Sequence, residues 1–467
     1  MAKKWMRLIA ALMAFALLAA ACGSSSDDEA ADDVSTEDDA ATEDDEATED
    51  EEEAMEDDEA TEDDEGAMED EGHSTIEAAP SCTGESDGVL KVGGLLPETG
   101  NLAFLGPPEF AGALLAVEGI NAAGGVLGND VEWFPGDSSD NGDVANATVD
   151  RHLEGGIDVI VGAASSGVSF TVIDKITGAC KIHFSPANTS PDFTSYAEDD
   201  LYFRTAPSDI LQGQVLADLI VSEGHTTVGL MALQDPYGEG LLEFTQQPLE
   251  EQGAEIAESF VYDPKAQNFD AEVERMIAAD PDAIVVIGFD ETADILTGLF
   301  EAGATPDTKA IYLVDGNIGN ALGEKFTDPG VLAGIKGTLP TAELSESFKD
   351  ELLAIDPDLV DFSYGPETFD AIVIVALAAE IAQSDDPAAI ASHINGVTRD
   401  GEKCVSFAEC KDLIADGVDI DYDGPSGPQS FGEKGEPTEA TFAILSYADD
   451  ANTIDDDKTI YKAASIG

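Results

Sequence analysis

The chain's five histidines, His73, His152, His183, His225 and His393, are scattered, and no His-Glu-x-x-His or Cys-x-x-Cys pair supplies zinc-ligand spacing. No G-x-x-x-x-G-K-[ST] phosphate loop occurs. Gly162-Ala163-Ala164-Ser165-Ser166-Gly167 departs from the G-x-S-x-G elbow of serine hydrolases. Neither metal hydrolysis nor acyl transfer is supported, so the chain reads as a non-enzyme with no metal and no cofactor. One segment imitates a calcium loop: Asp419-Ile420-Asp421-Tyr422-Asp423-Gly424 matches D-x-D-x-D-G. Its twelfth position is Ser430, where a bidentate Glu is required, and Pro425 and Pro428 oppose a flanking helix, so it reads as a solvated turn.

The residues that remain suit binding. A strand ending at Ala163 and a helix beginning near Val168 would place Ser165 and Ser166 at a helix N-terminus, where backbone N–H groups and the helix dipole favour a carboxylate. Ala187 and Thr189 follow a strand over Lys181–Pro186 at the same sheet edge.

These positions need parallel sheets to hold them. From Val89 onward, short apolar runs alternate with amphipathic stretches, the pattern of a sheet covered by helices on both faces. Strands are expected at Lys91–Pro97, Val131–Asp137 and Asp158–Ala163, with helices at Glu109–Ala123 and Val144–Leu153, the latter capped by Asp143. A second series follows. It has helices at Ile210–Gly224, Leu241–Gln252, Asp270–Ala279 and Thr292–Ala302, and strands at Thr227–Gln234, Glu255–Tyr262, Ala283–Gly288 and Ala310–Asp315. Later helices fall at Ser345–Ala354 and Glu367–Gln383, and a late strand at Glu439–Tyr447. Two doubly wound Rossmann-like lobes joined by a hinge are implied, 89–207 with 340–432 and 208–339 with 433–467, and the cleft between them is the default ligand site.

The amino terminus carries another kind of information. Lys3, Lys4 and Arg7 precede an apolar run from Leu8 to Ala21, too short to span a bilayer comfortably, so 1–21 reads as a cleaved export signal. Leu18-Ala19-Ala20-Ala21-Cys22 resembles a bacterial lipobox, with Ala19 where that motif most often has Leu. Cys22 is then the lipidated first residue of an extracytoplasmic, membrane-anchored protein. Residues 22–80 read as a disordered acidic linker, because 27–71 holds 28 of the 99 acidic residues and no Lys or Arg. The net charge is −79, of which the rest of the chain still carries −51, so nucleic acid is excluded as a partner. With Cys22 acylated, four cysteines remain in an oxidising compartment and allow three pairings. Cys404 and Cys410 flank a short stretch, leaving Cys82 and Cys180 for each other.

The run Gly112-Ala113-Leu114-Leu115-Ala116-Val117-Glu118-Gly119-Ile120-Asn121-Ala122-Ala123-Gly124-Gly125-Val126-Leu127-Gly128 resembles the first helix and turn of branched-chain amino-acid-type solute-binding proteins of ABC importers. Further matches follow in order at Ser165–Gly167, Ser185–Pro191, Phe203–Asp209 and Asp235–Gly240. The block Cys404–Phe431 is similar to actinobacterial members in particular. The resemblance covers about 89–467 and implies the type I periplasmic-binding-protein fold. It also implies that Ser166, Ala187 and Thr189 hold an amino acid's carboxylate and ammonium, that Tyr237 and Phe289 close over it, and that Asp315 is the acidic ammonium ligand, although a gap-free alignment places Gly316 there. Leu105 occupies a position often aromatic in the family. The implied function is capture of a branched-chain or similar apolar amino acid and its delivery, by a monomer, to an ABC permease. A urea, short-amide or aromatic-acid receptor on the same scaffold, or a surface lipoprotein acting through its acidic arm, are the alternatives.

Overall fold

A computed structural model describes residues 80–196 and 200–466; the export signal, Cys22 and nearly all of the acidic linker lie outside these residues. Short, mostly apolar runs form the strands β1 (Lys91–Leu95), β2 (Glu132–Phe134), β3 (Val159–Gly162), β4 (Ile182–Ser185) and β5 (Tyr202–Arg204). They make a five-stranded sheet in the order β2-β1-β3-β4-β5, parallel at every pairing. Next come β6 (Thr227–Leu233), β7 (Glu255–Tyr262), β8 (Ala283–Ile287), β9 (Ala310–Leu313) and β10 (Lys336–Pro340). After β11 (Glu402–Cys404) and β12 (Ile420–Tyr422), which pair only with each other, the chain ends in β13 (Glu439–Ser446) and β14 (Ile460–Ser465). The second sheet runs β14-β13-β10-β9-β8-β6-β7 and is parallel except where β13 pairs with β10 and β14.

Chain crossings tie the two sheets together. The backbone leaves the first sheet through Thr205–Ser208 and returns after β10 to the helix Glu346–Ile355, whose Phe348 and Leu352 pack on Ala111 of the helix Gly106–Ala122. It passes back again before β13. The helix Gly365–Ala382 is apolar nearly all round because it is enclosed by the first sheet and by neighbouring helices, including Gly106–Ala122. At that crossing a side chain on Gly112 would come within 2.1 Å of the Gly365 carbonyl oxygen, so the close approach requires glycine.

Two local expectations are corrected. Asn141, not Asp143, caps the helix Gly142–Glu154, its Oδ1 accepting from the N–H groups of Asp143 and Val144. The calcium-loop mimic is no solvated turn: Ile420–Tyr422 is a buried strand, and Asp421 and Asp423 pair with Lys403. The strands β5, β10 and β14 carry no run long or apolar enough to stand out. Both disulfides form as expected, Cys82 with Cys180 and Cys404 with Cys410. The second closes a loop of only six residues, worth about 2 kcal/mol in the chain-entropy model. A Cys404→Ser, Cys410→Ser double variant should lose about that much in a urea titration; unchanged stability would refute it.

Candidate functional site

Both sheets turn the carboxyl ends of their parallel strands toward one cleft, where doubly wound folds present their loops. The first sheet supplies Ala163–Ser166 after β3, Ser185–Ser190 after β4 and Thr205–Asp209 after β5. The second supplies Asp235–Tyr237 after β6, Phe289 after β8 and Asp315 after β9. All eight residues singled out from the sequence, Leu105, Ser165, Ser166, Ala187, Thr189, Tyr237, Phe289 and Asp315, are buried. Leu105, Ala187, Tyr237 and Phe289 belong to a single apolar cluster contributed by both lobes.

Asp315 is the polar centre. Its Oδ1 accepts from Gln212 Nε2 (2.7 Å) and the Tyr237 hydroxyl (2.8 Å), and its Oδ2 from the Tyr364 hydroxyl (2.6 Å). Tyr237 stacks on Phe289 with centroids 5.5 Å apart. The neighbouring Gly316 has no room for a side chain: a Cβ there would lie 2.9 Å from the Tyr237 hydroxyl. The carboxylate at this point is therefore that of Asp315, beside Gly316. Asp209 was not foreseen. It opens the helix Asp209–Ser222, one turn from Gln212, and neither of its fully buried carboxylate oxygens accepts a well-formed hydrogen bond. Burial, reinforced by the charge of Asp315, drives its carboxyl well above the usual range, and burial likewise raises Asp315. Gln212 and Tyr364 were also missed. The stretch Phe203–Asp209 was visible in the sequence, and the i, i+3 spacing of Asp209 and Gln212 puts both on one helix face; Tyr364 gave no signal.

The carboxylate receptor differs from expectation. The helix begins at Ser166 and ends at Phe170, a short segment whose Val168 N–H is taken by Ser165 Oγ (3.2 Å). Gly167 faces Asp235 across the cleft so closely that a Cβ would lie 2.1 Å from Asp235 Oδ2. Ser166 Oγ accepts from the Ser190 N–H (3.3 Å), while the Thr189 hydroxyl has no well-formed partner. The Ser190 hydroxyl donates to the Pro236 carbonyl (3.1 Å), a direct bond between lobes.

Beneath this layer, Arg204 fixes the loop after β4. Fully buried, it donates to the carbonyls of Asn188 (3.1 Å) and Ser190 (2.8 Å) and to the Thr194 hydroxyl (3.2 Å), and it pairs with Glu436. Two cavities open beside the buried centre, one of about 330 Å³ and one of about 470 Å³, and Phe289 lines both. Among the described residues no group of three or more His, Cys, Asp or Glu is placed to hold a metal ion.

Two α/β lobes that bury hydrogen-bonding side chains where their strand ends meet have the architecture of a receptor for a small solute. The chain belongs to the periplasmic binding protein family, whose model matches residues 89–450. That family consists of extracytoplasmic solute-binding proteins rather than enzymes. A leucine-, isoleucine-, valine-, threonine- and alanine-binding protein of Pseudomonas aeruginosa is 24% identical over 362 residues, 76% of this chain and 89% of the relative. The isoleucine complex of the LivJ branched-chain amino acid transporter substrate-binding protein of Streptococcus pneumoniae shares the fold with a TM-score of 0.66 at 22% identity, covering 81% of this chain and all of the other. A solute-binding protein of Rhodopseudomonas palustris in complex with 4-hydroxybenzoate has a TM-score of 0.65 at 15% identity, covering 81% of this chain and 96% of the other.

Proposed function

We propose that this protein is a monomeric lipoprotein, anchored through Cys22, that captures an amino acid between lobes 89–207 with 340–432 and 208–339 with 433–467 and delivers it to an ABC import permease. The carrying observation is the buried pair Asp315 and Asp209, with the Thr189 hydroxyl beside Asp209 and the Ser166 hydroxyl at the start of the short helix after β3. An ammonium satisfies the acids, and the hydroxyl side receives the carboxylate. Leu105, Tyr237 and Phe289 form the apolar contact for the rest of the solute. The names of the Pseudomonas and Streptococcus proteins support this reading. The Rhodopseudomonas complex keeps an aromatic acid as the second reading, which the Tyr237–Phe289 stack would suit and the two acids would oppose.

Native mass spectrometry of protein purified without added ligand tests the reading: the expected result is a retained amino acid, and a retained aromatic acid would reverse the order of the two readings. Anchoring is tested separately. Cys22→Ser should move the protein from the membrane fraction to the soluble fraction, because the basic start, apolar run and small residues before Cys22 form one processing signal. Identical fractionation of the two proteins would exclude the lipid.

A further inference from the structure

Acids outnumber cations along the whole cleft. Asp315 and Asp209 lie at its floor, Asp235 stands at the start of the helix Pro236–Glu251, and Asp140 lies on the opposite lobe just before the helix Gly142–Glu154. Asp140 and Asp235 line the cavity of about 470 Å³ from opposite lobes, and among the described residues Lys265 is the one cationic side chain in its wall. Arg204, the nearest buried cation to Asp209, is committed to Glu436. The floor also holds orphan acceptors. Gln212 Oε1 is buried with no well-formed donor and the Asp209 oxygens have only a loose contact with the Thr189 hydroxyl, and such groups are costly unless a ligand supplies a further N–H.

The fields of these acids join. Asp315 and Asp235 both act on Asp209, and burial together with Asp235 raises the Asp140 carboxyl to about 6. A zwitterion brings one ammonium and its own carboxylate, so it adds no net positive charge to this run. A second positive group would supply it, and the Asp140–Asp235 cavity adjoins the buried centre through Phe289, which lines the cavity and stacks on Tyr237, the donor to Asp315.

We propose that the solute is a basic α-amino acid of the ornithine, lysine or arginine class, whose α-ammonium meets Asp209 and Asp315 and whose side-chain cation sits between Asp140 and Asp235. The proposal rests on the amino-acid reading above. It makes Asp140 a specificity-determining residue.

Calorimetric titration of the full-length protein in detergent at neutral pH, with L-ornithine, L-arginine, L-leucine, putrescine and 4-hydroxybenzoate, tests it. Ornithine or arginine should bind at least about tenfold more tightly than leucine, the size of one charge-assisted contact. Asp140→Asn suits the test because asparagine tolerates the left-handed backbone at φ 41° and can still bond to Ser165. It should shrink the ornithine-to-leucine ratio about tenfold. Leucine binding as tightly as ornithine and arginine, or a ratio unmoved by Asp140→Asn, overturns the proposal and leaves the amino-acid reading standing. Putrescine matching ornithine supports the distal cation and overturns the amino acid. Binding of 4-hydroxybenzoate alone overturns both.

Discussion

Arg204→Ala should destabilise the empty protein by about 3–5 kcal/mol, the usual cost of removing one partner from a buried ion pair. Glu436 would be left as an uncompensated charge at 5% exposure, and the carbonyls of Asn188 and Ser190 would lose their donor. The effect reaches function because those carbonyls hold the loop bearing Ala187, Thr189 and Ser190, and Glu436 lies on the strand of chain returning to the second sheet. Solute affinity should fall with stability. Arg204→Lys should recover only part of the loss, since an ammonium cannot reproduce the forked set of donors that reaches Glu436, Asn188, Ser190 and Thr194 together. Urea unfolding measures the stability and calorimetry the affinity. A loss below about 1 kcal/mol would show that the pair is dispensable.

Much of the fold was legible because several strands are apolar, β-branched runs and the helices between them are amphipathic. Glu255–Tyr262 and Asp270–Ala279 fall on the bounds read from the sequence, and Ala283–Ile287 ends one residue short of them. The strands that escaped reading lack that signature. β5 has three residues, one of them Arg204; β10 carries Gly337 and Pro340; β14 is an exposed edge. The site divides in the same way. Ser165, Ser166, Ala187 and Thr189 directly follow strand ends, so strand reading alone gathers them at one edge. Asp209, Gln212 and Tyr364 join only because the chain crosses between sheets, and no local pattern encodes where a crossing will place a side chain. Tyr364 sits in left-handed backbone immediately before its helix, a conformation that its residue type does not announce. The helix after β3 was read two residues late for a geometric reason: it is short, begins at Ser166, and its first N–H groups are met by Ser165 and faced by Asp235.

Asp315→Asn should weaken binding of an α-amino acid, with L-leucine as the reference titrant, by at least about thirtyfold, corresponding to about 2 kcal/mol for truncating one side of a buried hydrogen-bonded charge pair. Asparagine preserves the shape: its Oδ1 can still accept from Gln212 Nε2 and the Tyr237 hydroxyl, while its NH2 donates to the Tyr364 hydroxyl oxygen, so packing is little disturbed. The stability of the empty protein should stay constant or rise, because the substitution removes the repulsion that Asp315 exerts on the buried Asp209. Affinity and stability therefore move in opposite directions, a signature that simple misfolding does not produce. The pH dependence follows with a definite sign. Burial raises both carboxyls above the ordinary aspartate value of 3.8, and only the ionised forms attract an ammonium. Affinity should accordingly be lost on acidification while exposed carboxylates are still charged, and be regained as pH rises. In Asp315→Asn the decline should shift to lower pH, because Asp209 then titrates without its charged neighbour. Calorimetry across a pH series reads both effects. Unchanged leucine affinity in Asp315→Asn, or des-amino analogues binding as tightly as the amino acid, would remove the ammonium from the site and with it the amino acid from the proposed function.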